Sequence, residues 1–130
     1  MYLFDTNVFL EILLQRQKSK AAKHIFYTVP PNNLFITDFS LHSIGVFLFQ
    51  RNRHEAYEHF VKDIIVRTNV GVIGLDPEDV SLLARVSKRF NLDFDDAYQY
   101  VVAEKHGLVI MSFDADFDRT EKGRKVPESK

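Results

Sequence analysis

An α/β fold is predicted, a three-layer α/β/α sandwich around a mostly parallel sheet. Two observations carry that prediction. Short apolar runs alternate with pairs of segments whose apolar residues recur at helical spacing, a β-αα-β-αα-β-αα-β order that favours parallel strands joined by helical crossovers. The first and last of these runs also deliver aspartate where they end: Tyr2-Leu3-Phe4 leads to Asp5, and Leu108-Val109-Ile110-Met111 leads through Ser112 to Asp114 and Asp116. Ligands of open parallel sheets bind at the carboxyl ends of the strands, so carboxylates there suggest one shared site.

After Asp5-Thr6-Asn7, a run of good capping residues, Val8, Phe9, Ile12 and Leu13 mark a first helix. The polar run Gln15 to Lys20 interrupts it. Ala21, Ala22, Ile25, Phe26 and Val29 mark a second helix, stopped by Pro30-Pro31. Asn32-Asn33 turns into the strand Leu34-Phe35-Ile36. Thr37-Asp38-Phe39-Ser40 is again rich in caps, and Leu41, Ile44, Phe47 and Leu48 continue as a helix. Tyr57, Phe60, Val61, Ile64 and Ile65 define the next one. Val70 to Leu75, β-branched and broken by glycine, reads as a third strand. Asp76-Pro77-Glu78-Asp79 is a helix start with cap, N1 proline and first-turn acids, and Leu82, Leu83, Val86 and Phe90 line the helix that follows. Leu92 to Asp96 opens a last helix through about residue 105, which Gly107 ends. The strand 108–111 reads as buried on both faces. Residues 1–130 are expected to form one domain, with a loose charged tail from about 118 in which Lys125-Val126-Pro127 adds a short edge strand.

Bulk properties narrow the function. With 130 residues, 45% of them apolar, the chain suits a single core, and 12 Phe with no Trp make that core rich in benzyl rings. There is no cysteine, which removes disulfide scaffolds and thiolate metal sites. The N-terminus does not read as a signal peptide and no run is long enough to span a membrane, so a cytoplasmic protein without membrane contact is expected. A net charge of −1 argues against a generally basic surface while permitting local basic patches.

The chemistry lies in the acids. If Asp5, Asp96 and Asp114 converge, each carboxylate pair about 4 Å apart repels by roughly 4 kcal/mol at an effective dielectric of about 20. Three such pairs approach the ~5–15 kcal/mol stability of a whole domain. Such a cluster must take up protons or bind a cation, and a hard, oxygen-seeking ion such as Mg²⁺ or Mn²⁺ is the natural guest. That cation would suit hydrolysis of a phosphodiester. The competing role is plain capping: Asp5 and Asp96 each stand where a helix needs an N-cap, and so does Asp38. Asp95 leaves the helix start in another direction and serves the helix dipole.

Phe4-Asp5-Thr6-Asn7 after the first strand, Asp96-Ala97 opening the last helix, and Ser112-Phe113-Asp114-Ala115-Asp116-Phe117 closing the last strand together resemble a PIN domain, the family of VapC-type toxins and other small ribonucleases. The resemblance runs over essentially the whole chain. It implies a metal-dependent endoribonuclease acting on RNA, with Asp5, Asp96 and Asp114 as ligands of Mg²⁺ or Mn²⁺ and Asp116 as a fourth acid of the site. Thr6, Asn7 and Ser112 would support the carboxylates. It further implies the toxin of a toxin–antitoxin pair, an antitoxin protein as partner, and a homodimer. One departure stands out: the family's usual Glu in the helix after the second strand falls at Ser43, which carries no charge; Asp38 is the candidate to compensate, beside its role as a cap, and His42 the candidate to act instead on a proton or phosphate. A PIN-fold module that binds RNA or a protein without cutting is therefore the alternative reading. An aspartyl phosphotransferase also places Asp after its first strand, but a dehalogenase-type enzyme would show Asp where Asn7 stands. Beyond the acids, Arg119, Lys122, Arg124 and Lys125 are the densest basic stretch and the candidate grip on an RNA backbone.

Overall fold

The computed structural model describes residues 1–128, and four parallel strands lie at its centre. They are β1 (Tyr2–Phe4), β2 (Leu34–Thr37), β3 (Gly71–Ile73) and β4 (Val109–Met111), in the order β3-β2-β1-β4. The helices are α1 (Thr6–Leu13), α2 (Ser19–Thr28), α3 (Asp38–Gln50), α4 (His54–His59, continued by a π-helical stretch Phe60–Val66), α5 (Val80–Phe90) and α6 (Phe94–His106). Short 3₁₀ turns at Pro31–Asn33, Pro77–Asp79 and Ala115–Arg119 lead into β2, into α5 and out of β4.

Strand alternation divides the core into two apolar clusters, one on each face of the sheet. Phe4, Leu34, Ile36 and Met111 point toward α1–α4, where they meet Val8, Phe9, Phe26, Ile44, Leu48 and Phe60. Leu3, Phe35 and Ile110 point toward α5 and α6 and meet Val86, Tyr100, Val101 and Phe117. The expected benzyl core is present: Phe4, Phe9, Phe26 and Phe60 pack with ring centroids 5.5–6.4 Å apart.

Helix ends follow local chemistry. Thr37 caps α3 by accepting from Ser40 N, and Asp93 caps α6 by accepting from Asp96 N. Asp76 and Asp79 exchange a reciprocal capping box around Pro77. Gly107, at φ +67°, ends α6 in the left-handed conformation that glycine adopts without steric cost.

Three expectations are corrected. The last strand is not buried on both faces: β4 is an edge of the sheet, and Val109 is 43% exposed. The third strand is shorter than 70–75, because β3 is the other edge and pairs only through Gly71–Ile73. Residues 119–125 do not hang loose. Thr120 is buried, Arg124 bonds Asp118 and the Ser112 carbonyl, and Lys125 makes a single parallel bridge to Met111 rather than a strand. That bridge covers part of the free edge of β4, as exposed edges require.

Candidate metal and phosphodiester site

Asp5 stands at the N-cap position of α1, yet its side chain makes no capping bond. Its carboxylate is buried, 3% exposed, and is held from two sides. Ser112 Oγ donates to Asp5 Oδ2 at 2.6 Å, and Gln99 Nε2 donates to Asp5 Oδ1 at 2.7 Å. The capping role is likewise absent for Asp96. Asp93 takes it, which leaves the Asp96 carboxylate, in the first turn of α6, free to face its neighbours.

Two overlapping groups result. Asp5, Asp95 and Asp96 each offer an oxygen within 4.8 Å of the others, and so do Asp96, Asp114 and Asp116. The C-terminal ends of adjacent strands β1 and β4 supply Asp5 and, just beyond, Asp114 and Asp116. The start of α6 supplies Asp95 and Asp96. Asp114 also caps the following 3₁₀ turn by accepting from Asp116 N at 2.8 Å, so it serves both roles at once. Asp116 reaches furthest into solvent, its side chain 48% exposed and paired with Arg119 at 3.4 Å.

Ser112, fully buried, is the hub. While donating to Asp5 it accepts from Asp114 N at 2.9 Å and from Asn7 Nδ2 at 3.5 Å. Asn7 thus acts on the hub, not on a carboxylate, and its Oδ1 accepts from Phe113 N at 3.4 Å. Thr6 faces away from the acids and donates to Ser40 Oγ at 2.7 Å. Asp38 lies outside both acid groups: its Oδ1 accepts from Phe39 N and from Tyr98 Oη, and Thr37, not Asp38, caps α3. Ser43 is half-buried on α3. In the basic stretch, Arg119 bonds the Phe90 and Asn91 carbonyls, Arg124 is tied to Asp118, and Lys125 lies over the Tyr2 ring, which leaves Lys122 as its exposed cation without a side-chain partner among the described residues.

Two members escaped the sequence reading. Asp95 is in the cluster, contrary to the direction expected of it, and Gln99 is what places it there. One fully buried amide donates both to Asp5 Oδ1 and to Asp95 Oδ1, the latter at 2.9 Å. The spacing of Asp95 and Gln99, one helical turn apart in α6, is the signal that could have found the pair. Gln99 Oε1 is buried without a partner among the described residues.

Crowding and burial shift the acids upward. Desolvation raises Asp5 to about 6, opposed by the bonds from Ser112 and Gln99 and aided by the charges of Asp95 and Asp114. Desolvation likewise raises Asp96, together with a hydrogen bond to and repulsion from Asp114. Burial also raises Asp95. Asp96, raised to about 9, therefore keeps its proton at neutral pH, as a desolvated carboxyl among like charges does without a counter-charge. The donor set is all hard oxygen, anionic and self-repelling. It fits a divalent cation of the Mg²⁺ or Mn²⁺ type and offers nothing to a soft metal.

Gln99→Leu is expected to leave the buried Asp5 carboxylate and the half-buried Asp95 carboxylate without their shared donor. The variant should melt well below the wild type, by about 2–4 kcal/mol, since each lost charge-assisted bond costs roughly 1.5–3 kcal/mol and isosteric packing recovers part. Urea unfolding at pH 7.5 measures this. Unchanged stability would show that the amide is not needed to hold Asp5 and Asp95 together.

Fold and cluster together define an α/β domain with an acidic cluster at the carboxyl edge of a parallel sheet. Comparison with known proteins specifies it further. The PIN domain profile matches residues 2–123, and the chain belongs to the PIN domain family. A search of curated proteins returned no match. Among solved structures, a toxin–antitoxin complex from Klebsiella pneumoniae is similar over 99% of both chains, at 18% identity and a TM-score of 0.77. VapC20 of Mycobacterium tuberculosis, described as a sarcin-ricin loop cleaving toxin, aligns with 91% of this chain and 93% of its own, at 21% identity and a TM-score of 0.77. FitAcB from Neisseria gonorrhoeae covers 98% and 97%, at 14% identity and a TM-score of 0.74. At such identities the likeness speaks for the fold. Among the described residues no helix is long and apolar enough to cross a membrane.

Proposed function

We propose that the protein is a metal-dependent endoribonuclease that hydrolyses RNA phosphodiester bonds in the cytoplasm and is the toxin of a toxin–antitoxin pair. The observation that carries the reading is the pair of overlapping acid groups, Asp5–Asp95–Asp96 and Asp96–Asp114–Asp116, each with oxygens within 4.8 Å, at one sheet edge of a PIN-family chain. Asp5, Asp96 and Asp114 would hold Mg²⁺ or Mn²⁺, with Asp95 and Asp116 at the two ends of the cluster. Bound there, the cation would screen the carboxylates, polarise the phosphodiester and lower the pKa of an attacking water. The chain's own contribution is orientation. Ser112 and Gln99 fix both oxygens of Asp5, Asp93 frees Asp96 by capping α6 in its place, and Asp114 N is pinned to Ser112 Oγ. Asp116, the most exposed acid, would accept a proton at its carboxylate from solvent-side water.

Likeness to a toxin–antitoxin complex supports an antitoxin protein as partner; a homodimer is part of the same reading. RNA cleavage tests the activity: single-stranded RNA should be cut with Mg²⁺ or Mn²⁺ and left whole in EDTA. Cleavage undiminished by EDTA would overturn the metal role.

Ser43 favours one second reading, a PIN module that binds RNA or a protein without cutting, because α3 brings no Glu at that position. Ser43→Glu separates the two. If the wild type binds RNA uncut and the variant gains cleavage, the binding module is correct. If the wild type cuts and the variant changes the rate less than about tenfold, equivalent to ~1.4 kcal/mol of barrier, the five acids suffice.

A further inference from the structure

Three aromatic rings stand at the carboxyl edge of the sheet, beside the acids. Phe94 opens α6 directly before Asp95 and Asp96, Tyr98 follows one turn on, and Phe39 comes from the first turn of α3. Ring centroids lie 5.4 Å apart for Phe39–Phe94, 5.5 Å for Phe39–Tyr98 and 6.0 Å for Phe94–Tyr98. Phe39 and Phe94 belong to neither apolar core cluster, and Tyr98 only borders one. Phe94 is 56% exposed, an apolar ring left in water beside a polar site.

The group is held in place from below. Tyr98 Oη donates to Asp38 Oδ1 at 2.8 Å and accepts from Leu75 N at 3.0 Å, while Phe39 N donates to the same Asp38 oxygen at 2.7 Å. Gly74 makes room for that carboxylate, since a Cβ there would meet Asp38 Oδ2 at 2.5 Å. The Tyr98 ring is therefore fixed through its hydroxyl, and Phe39 and Phe94 rest against it and against each other. A surface ordered before binding loses little entropy when a ligand arrives.

Helical spacing relates the rings to the acids. Phe94 and Tyr98 share one face of α6, and Asp95 and Gln99 share the next, about 100° round the axis. The rings flank the cluster and do not cover it. A phosphodiester at the acids carries a nucleotide on each side, and the base of one of them reaches the neighbouring face. We propose that Phe94, backed by Phe39 and Tyr98, is a stacking subsite for an unpaired nucleobase adjacent to the scissile phosphate. This inference rests on the nuclease reading of the acidic site. Stacking accepts any base, because every base has a π-face, but it excludes a base whose faces are occupied within a duplex.

The test is equilibrium binding in EDTA, where no cleavage occurs, to a short single-stranded RNA carrying one 2-aminopurine moved along the strand. Wild type should quench that base at one or two positions. Phe94→Ala should abolish the quenching and weaken binding roughly 5- to 100-fold, the range for loss of one stacked base. Phe94→Trp should preserve both. An abasic site at the quenched position should weaken wild-type binding by a similar factor and have no further effect on Phe94→Ala. Circular dichroism of Phe94→Ala should match wild type, as expected for a largely exposed ring. Equal affinity of wild type and Phe94→Ala would overturn the subsite. So would the same loss on intact and abasic RNA, or unchanged RNA binding with lost retention of a co-expressed partner protein, which would assign the rings to a protein contact. A wild type that stacks the base in EDTA yet never cuts RNA with Mn²⁺ would defeat the nuclease reading alone. Undiminished cutting and RNA binding by Phe94→Ala would defeat the stacking subsite alone.

Discussion

Asp96→Asn should cut RNA at least roughly 10³-fold more slowly than wild type, about 4 kcal/mol of barrier, and yet melt at a higher temperature when no metal is present. Both effects have one cause. Asp96 belongs to both acid groups, so every other carboxylate of the site lies near one of its oxygens. In the metal-free protein those oxygens are desolvated and repelled by Asp114, Asp5 and Asp93. An amide is neutral and donates without first taking up a proton, as Asp96 must when the apo chain folds, so the apo fold gains by an expected ~1–3 kcal/mol. With metal present the same change removes a ligand. Initial rates of RNA cleavage, with thermal melts in EDTA at pH 8, measure both halves. Retained activity would remove Asp96 from the site, and a lower apo melting temperature would show that its charge is not a burden.

The second large effect is the pH dependence of the metal-free protein. Asp5 is raised from 3.8 to about 6 in the folded state, so the native protein binds that proton more tightly than the unfolded chain does. Below about pH 4 both states are protonated and burial of the group carries no charge penalty. Between about 4 and 6 the unfolded chain releases its proton first, and stability falls as pH rises. Above 6 the full penalty stands, about 3 kcal/mol for Asp5 at 1.36 kcal/mol per unit. The upward shifts of Asp96 and Asp95 act in the same direction, and that of Asp96 carries the decline to higher pH. In EDTA, urea unfolding should therefore find the protein more stable at pH 5.5 than at pH 8, as long as the rest of the chain tolerates the acid. Millimolar Mn²⁺ should cancel most of the difference by stabilising the pH 8 form, as a ligand of the native state must. A metal-free protein more stable at pH 8 than at pH 5.5 would contradict the buried, unpaired acids.

Much of this was readable from the sequence, for reasons that are local. Strand–helix alternation and capping chemistry are written in neighbouring residues, so the helices and the parallel sheet follow from apolar spacing around positions such as Val8, Ile25, Ile44 and Val86. Asp5 and Asp114 could be placed at the sheet edge because each follows an apolar run directly. Whether they cap or face one another could not be decided locally. It depends on Asp93 taking the cap of α6 and on Ser112 and Gln99 arriving from distant parts of the chain. The order of strands is equally non-local, and this is why Val109 reads as buried and proves exposed at an edge. The basic tail illustrates the same limit. Arg119 and Arg124 look like free cations in sequence, but one closes the carbonyl end of α5 and the other bonds Asp118 and a main-chain carbonyl behind β4. Asp95 is the instructive miss. Its own position in the first turn suggests another direction, whereas its partner Gln99 lies one turn further on.

The five clustered acids either are a cation site or are not. Crystals soaked in Mn²⁺ at pH 8, with anomalous difference maps at the manganese edge, test that most directly. A strong peak bounded by Asp5, Asp96 and Asp114 is the predicted result, absent from Asp96→Asn crystals treated in the same way. Wild-type crystals without a peak, their acids paired by shared protons or held only by protein donors, would contradict it.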